Sequence, residues 1–441
     1  MRHLQGMRQE QKDRLNKNTI KEYHKYCDVL FEEYIVPLLT DFTYDIPAWI
    51  NHLKDSKHQD EVLPYYYEYL NGIKEKPEWY KNIYTLFTKK EKQIAERTIK
   101  NNKDTHKIPK CRAISACPNH VKWIMGPVTH AIEQIFTNKL KGYKFNNQKH
   151  AYKNWGQIEE YFDHCYERGL TQSQDIDGSR WDTTQYYHMK YLINKLYNYL
   201  VDNRMIYHVT DELFRSITTQ RYRTLVAKAY INKRITVIGS AKVDSTTFSG
   251  SPDTTLANTL TNLSVGRFIF ENKLSIHPSE YELFTSGDDY GSLTTPETAD
   301  KFIKIADNVW RELGLVPKYI HNGPYTDITF CSTNVIQYME DGKMNHKIVR
   351  QVDRMNPLSH WSVKAVGYTP PQLRFYYEQM AIGIRYWAHD LPFYSDYANA
   401  YDKLALMTSN YSEQPPIGKP KIQIPTTQHY ETSDYEQMKL E

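Results

Sequence analysis

Three short segments in a fixed order constrain this chain more than anything else in it. They are Asp177-Gly178-Ser179-Arg180-Trp181-Asp182, then Ser249-Gly250-Ser251-Pro252-Asp253-Thr254-Thr255-Leu256-Ala257-Asn258, then Ser286-Gly287-Asp288-Asp289. Residues Ser173–Asp177 read as a short strand, Thr254 to about Glu271 as a helix, and Glu282–Tyr290 as strand, acidic turn, strand. A strand end beside an acidic hairpin turn brings the first and third together, and the second reads as a glycine loop before a helix.

The residue types at those places suit phosphoryl transfer. Hard divalent cations take oxygen ligands, and a pair of metals about 3.5–4 Å apart needs carboxylates from two neighbouring segments. Asp177 at the strand end and Asp288 in the turn fit. Asp175 shares a strand face with Asp177, so spacing alone leaves the choice between them open. Gly287-Asp288-Asp289 by itself is weak, since three fixed positions occur by chance in roughly one such chain in twenty, and Gly-Asp is an ordinary exposed turn. The Ser249–Asn258 pattern is rarer, in well under about 1% of such chains, against a plain reading as a capped helix start. Thr254 and Asn258 are four apart and share a helix face. A carboxylate at Asp182 with an amide at Asn258 can hydrogen-bond a ribose 2′-hydroxyl, the group that separates RNA from DNA substrates, and a site built for a hydroxyl rejects an analogue lacking it.

Bulk properties bound the partners. The chain has 441 residues and a net charge of +4. That length exceeds the roughly 250–300 residues of a single core, so two or three subdomains are expected, and a nucleic acid would need a local basic channel rather than bulk charge. The 37 tyrosines suit base stacking but more often serve packing. The five cysteines, Cys27, Cys111, Cys117, Cys165 and Cys331, are scattered without a Cys-x-x-Cys pair, which points to a reduced intracellular protein without a zinc site. No apolar run matches a signal peptide or a membrane span.

Along the chain, helical spacing at Thr19–Leu39, Tyr65–Leu70 and Ile94–Lys100 predicts a mainly helical first hundred residues. Pro109–Ala116 reads as an extended basic segment, Val121–Leu140 as a helix interrupted or kinked at Gly126-Pro127, and Thr183–Val201 as one long helix. Arg223–Ile238 reads as a hairpin about Asn232-Lys233, and Arg221, Arg223, Lys228, Lys233 and Arg234 there either line a template path or form a solvated strand face. Ala299–Leu313 predicts a helix stopping near Gly314, and Phe330–Met339 pairs with Lys347–Arg350 across Asp341-Gly342. Helices are expected again at Pro371–Trp387 and Asp396–Thr408, before a proline-rich tail from Gln414.

Taken together, the three segments resemble motifs A, B and C of the RNA-dependent RNA polymerases of RNA viruses, in their usual order. Lys110-Cys111-Arg112-Ala113-Ile114-Ser115 resembles the basic motif F, Ala299–Gly314 with Lys318 resembles motif D, and Phe330-Cys331-Ser332 with Val335, Val349 and Arg350 resembles the motif E hairpin. Asp-x-Ser-Arg-aromatic-Asp and Phe-Cys are closest to tombusvirus-like and nodavirus-like enzymes. The motifs span about Lys107 to Arg350, and the stretch before Ser249 lacks a glycine that many relatives have.

The resemblance implies an α+β right hand with fingers, palm and thumb, an antiparallel palm sheet and a largely helical periphery. Residues 1–165 would form an amino-terminal extension and fingers, 166–182 and 249–350 the palm, 183–248 a fingers insertion, and 351–441 a small helical thumb and tail. Asp177 and Asp288, with Asp289 auxiliary, would bind two Mg2+ ions, for which Mn2+ can substitute; the choice of Asp177 follows from its place five residues before Asp182. Asp182, Ser249, Gly250, Thr254 and Asn258 would form the ribose-sensing set. Lys110 and Arg112 would neutralise the triphosphate, and Lys318 would protonate the pyrophosphate, with Lys301 and Lys304 as competitors and a plain surface role as the alternative. The implied partners are RNA template and product, ribonucleoside triphosphates and other viral replication proteins, in host cytoplasm at membrane-associated complexes. Two rivals stand beside this: a reverse transcriptase, which would block the 2′-hydroxyl with an aromatic, and a noncatalytic RNA-binding subunit. A phosphate-loop helicase lacks its motif here.

Overall fold

The computed structural model describes residues 12, 14–53, 56–88, 96–100, 103–107, 113–147, 149–179, 181–231, 234–244, 247–351, 368–388 and 391–408. The chain divides into two compact units, one of Met1–Lys89, Cys111–Tyr152 and Tyr161–Cys331, the other of Lys90–Lys110, Lys153–Glu160 and Ser332–Glu441. Helix Trp155–Glu167 (α5) is shared in sequence between them.

The first unit opens with α1 (Lys17–Leu30), whose start is closed by Asn16 accepting from the amides of Asn18 and Thr19. Helices α2 (Ile46–His52) and α3 (Ser56–Leu70) follow. The helical expectation then fails: Ile83–Thr88 is a strand (β1), and in the second unit Glu96–Lys100 (β2) pairs with Lys103–Lys107 (β3). Five residues are too few for a helical period to be told from a strand, and the β-branched Thr98, Ile99 and Thr105 favour the latter. Strand β1 runs antiparallel to β4 (Ala113–Ala116) and parallel to β6 (Tyr222–Ile231), a partner far away in sequence. With β7 (Arg234–Asp244), the other arm of the expected hairpin, the sheet order is β4-β1-β6-β7.

Helix α4 (Asn119–Lys139) runs through Gly126-Pro127 as one helix, so of the expected interruption or kink the interruption does not occur. Pro127 has no N–H for the Trp123 carbonyl. His208 Nε2 donates to that carbonyl instead, at 3.1 Å. The expected helix over Thr183–Val201 is broken into α6 (Trp181–Thr184) and α7 (Tyr191–Asp202). Side chains take the carbonyls that a continuous helix would use: Thr184 Oγ1 donates to Trp181 O at 2.8 Å and Gln185 Nε2 to the same atom at 3.4 Å. Helix α8 (Asp211–Thr218) completes this stretch.

The second sheet of this unit is antiparallel, with order β10-β5-β9-β8 from β5 (Gln172–Gly178), β8 (Tyr281–Ser286), β9 (Asp289–Thr294) and β10 (Pro317–Pro324). Helix α9 (Thr254–Arg267) packs on β8 and β9. Gly266 permits the close approach, because a Cβ there would lie 2.6 Å from the Tyr290 ring. Helix α10 (Pro296–Glu312) stops at Gly314, whose φ of +84° suits glycine. Strand β10 was not expected: Lys318, read as following a helix end, lies on it.

In the second unit β11 (Thr333–Glu340) and β12 (Lys343–Arg350) pair across Asp341-Gly342, both at positive φ as a tight hairpin turn requires. Helices α11 (Pro370–Ala388) and α12 (Pro392–Met407) each begin at a proline. Val349, Ala381, Ile384, Tyr394, Ala398 and Tyr401 form its small core. The proline-rich tail lies outside the described residues.

Candidate active site

The antiparallel register sets Asp177 opposite Asp289, and Ser286 opposite Asp289 on the other side. Between them Gly287 turns the chain at a φ of +64°, a conformation that costs glycine little. Asp177, Asp288 and Asp289 therefore collect at one end of the sheet, Asp288 exposed and the other two half-buried. Asp175 lies two residues inward, opposite Gly291 and His321, and is only 2% exposed. Burial pushes its carboxyl up to about 6. Burial thus separates the two aspartates that spacing left open.

Lys318 Nζ sits 2.6 Å from Asp177 Oδ2. Of its two competitors, Lys301 pairs with Glu297 at 2.6 Å and Lys304 is exposed on α10. Tyr319, next to Lys318, is pushed up to about 12 by burial and by Asp175, Asp177 and Asp289. Burial and Asp289 likewise push the Cys331 thiol up. Burial is the larger cause of both shifts, and the neighbouring carboxylates add to it.

The glycine loop is pinned to β4. The Ser115 amide donates to Ser249 Oγ at 3.4 Å, Gly250 bridges Ala116, and a Cβ at Gly250 would lie 2.5 Å from Ser115 O. No side chain fits there. Thr254 Oγ1 donates within the loop, at 2.7 Å from Phe248 O and 2.8 Å from Ser251 O. Ser249 is exposed. Strand β4 begins one residue after Arg112; Lys110 and Arg112 themselves lie outside the described residues, as does Lys233.

One turn along α9, Asn258 Nδ2 donates to Asp182 Oδ1 at 3.0 Å. A carboxylate oxygen only accepts, so the amide orientation is fixed. Asn258 Oδ1 then points elsewhere, buried and without a partner. Two residues that the sequence reading passed over, Thr259 and Asn262, also leave the helix toward the acidic turn. The Gly287 amide donates to Thr259 Oγ1 at 2.8 Å, and Asn262 Nδ2 donates to Gly287 O at 3.0 Å and Asp289 O at 3.4 Å. The spacing of Asn262, four residues after Asn258, was the available signal, and Thr259 carried none.

The template-path reading of the β6–β7 basic residues is corrected at Arg223. It is 4% exposed, with its guanidinium over the Tyr84 and Phe248 rings at 5.7 and 5.9 Å. Its strand face points into an aromatic core near Asp253, where the rings and that carboxylate support the charge. Arg221 is exposed and held by Asp244, with its Nε 3.2 Å from Oδ1 and its Nη2 3.1 Å from Oδ2.

Carboxylates from adjoining strand ends are the donor chemistry a hard divalent ion requires. Asp177, Asp288 and Asp289 offer that chemistry at one sheet end, with the Lys318 ammonium against Asp177. Among the described residues no three His, Cys, Asp or Glu side chains are gathered into a finished ligand cluster. No described helix is long and apolar enough to cross a membrane.

The family model for viral RNA-dependent RNA polymerases matches residues 50–364, well over half of the chain. Among curated proteins, none matches it significantly.

Proposed function

The chain belongs to the viral RNA-dependent RNA polymerases, and from that premise we propose that Asp177 and Asp288, with Asp289 as an auxiliary ligand, hold two Mg2+ ions where ribonucleotides are joined. The enzyme is an RNA-directed RNA polymerase, a nucleotidyltransferase that binds RNA and ribonucleoside triphosphates, and its family uses divalent metal ions. The observation that carries the site assignment is the register that sets Asp177 against Asp289 beside the Gly287 turn. Bound divalent ions supply charge neutralisation at the triphosphate and make the attacking 3′-hydroxyl more acidic. Mn2+ substitutes for Mg2+.

The chain's own groups do the rest. Asn258, whose Oδ1 is an unused buried acceptor, accepts a hydrogen bond from the ribose 2′-hydroxyl while Asp182 holds the amide in place. Ser249 and Gly250 line the approach from the β4 side, and Thr254 keeps their loop closed. Lys110 and Arg112 neutralise the triphosphate. Lys318 releases Asp177 when the site is loaded and gives its proton to the departing pyrophosphate. In this reading the β10-β5-β9-β8 sheet is the palm, the β4-β1-β6-β7 sheet belongs to the fingers, and α11 and α12 to the thumb. The kinship with tombusvirus-like and nodavirus-like enzymes rests on Asp177–Asp182 and Phe330-Cys331.

Incorporation of ribonucleotides against deoxyribonucleotides on a primed RNA template tests this reading. Wild type prefers ribonucleotides by roughly 1,000-fold or more, and Asn258→Ala loses at least about tenfold of that preference while still making RNA. Unchanged preference in Asn258→Ala would remove the ribose role. A preference for deoxyribonucleotides would make the chain a reverse transcriptase, and RNA binding without synthesis in Mg2+ or Mn2+ a noncatalytic subunit.

A further inference from the structure

We propose that Thr259 and Asn262 are positioning residues for nucleotidyl transfer: from α9 they fix the backbone of the Gly287–Asp289 turn, so the helix that reads the ribose through Asn258 also aims Asp288 and Asp289. This rests on the site assignment above.

Helix α9 is unusual in what it buries. Every residue from Leu256 to Arg267 is buried, and a helix buried all round is normally apolar. This one carries Asn258, Thr259, Thr261, Asn262 and Ser264. Thr261 and Ser264 donate back into their own helix, to Ala257 O at 2.8 Å and Thr261 O at 3.0 Å. Ser264 Oγ also meets Tyr23 Oη at 2.7 Å, and Asn258, Thr259 and Asn262 reach out of the helix altogether. Asn258 goes to Asp182, while Thr259 and Asn262 go to the turn that carries Asp288.

The turn needs such support. A Cβ on Gly287 would meet nothing within 4 Å, so close packing does not hold that residue. Hydrogen bonds do. The Gly287 amide is received by Thr259, and the Asn262 amide spans the carbonyls of Gly287 and Asp289, on either side of Asp288. Both acceptors are carbonyl oxygens, so only a donor serves at position 262. Three, four and one residues separate these groups along a rigid helix, so a shift of α9 at the sugar is also a shift at the carboxylates. Partners that orient metal ligands in this way typically alter metal affinity or activity by about 10–100-fold when removed.

The test compares Thr259→Val, which keeps the shape and removes the acceptor, with Thr259→Ser, which restores it, in the full chain. Mn2+ binding is followed by electron paramagnetic resonance without nucleotide, alongside kcat, KM for the triphosphate, RNA binding and the melting temperature. Thr259→Val is expected to weaken Mn2+ binding and lower kcat by about 10–100-fold, with KM within about threefold and RNA binding unchanged. Thr259→Ser recovers most of both. Wild-type Mn2+ affinity and kcat in Thr259→Val would overturn the proposal, as would equal losses in both variants tracking a fall in melting temperature. If Thr259→Val does not fold, Asn262→Asp, which puts an acceptor against two carbonyls, is read by the same criteria. Failure of the polymerase reading shows separately, as no RNA synthesis by wild type.

Discussion

Helices α4 and α9 are built alike and used differently. Each is buried along much of its length, each presses a glycine against an aromatic ring, and each buries hydrogen-bonding groups. In α9 those groups go to Asp182 and to the turn of Asp288. In α4 they repair the backbone. Pro127 leaves Trp123 O open and His208 fills it; Thr129 Oγ1 returns to Met125 O at 3.0 Å and Gly126 O at 3.2 Å. A buried polar group is thus no sign of function until its partner is known.

If α4 is scaffold and α9 is machinery, damage to α4 should cost stability without touching selectivity. The largest such effect is expected at Gly126, where a Cβ would lie 2.2 Å from the Trp49 ring. Gly126→Val should lose about 3 kcal/mol or more by overpacking. Chemical denaturation measures this, and the folded fraction should keep the wild-type ratio of ribonucleotide to deoxyribonucleotide incorporation. A changed ratio would break the distinction between the two helices.

A smaller effect sharpens it. His208 is fully buried; its Nε2 donates to Trp123 O, and its Nδ1 accepts from Tyr44 Oη at 2.7 Å, which requires the neutral ring. Burial lowers its pKa to about 4, whereas the unfolded ring titrates near 6.5. Between those values the unfolded chain binds the extra proton, so this contribution is complete above about pH 6.5 and declines as the pH falls toward 4. From pH 7 to pH 5 the loss is about 2 kcal/mol. His208→Gln, which can still donate and does not titrate in this range, should lack that part of the slope.

What could be read from the sequence follows the same division. The meeting of Asp177 with the Gly287 turn, and of Asn258 with Asp182, was legible because phosphoryl-transfer chemistry asks for particular residue types at particular spacings, and the Glu282–Tyr290 hairpin carried its own turn signal. Strand β1 was not, because its parallel partner β6 lies more than a hundred residues away and leaves no local mark. Arg223 was misread because strand alternation says which residues share a face but not which face meets the core. The continuity of α4 through Pro127 depended on a histidine about eighty residues downstream. Thr259 and Asn262 looked like ordinary helix residues until the turn they hold was in place.

The central claim, that the acidic end of the β10-β5-β9-β8 sheet joins ribonucleotides, is tested most directly at Asp288. Labelled ribonucleotides are supplied with Mg2+ and a primed RNA template, and extension by wild type is compared with extension by Asp288→Ala. Wild type should copy the template, and Asp288→Ala should fall by more than about 100-fold while retaining RNA binding and the wild-type melting temperature. Synthesis by Asp288→Ala at the wild-type rate would contradict the account.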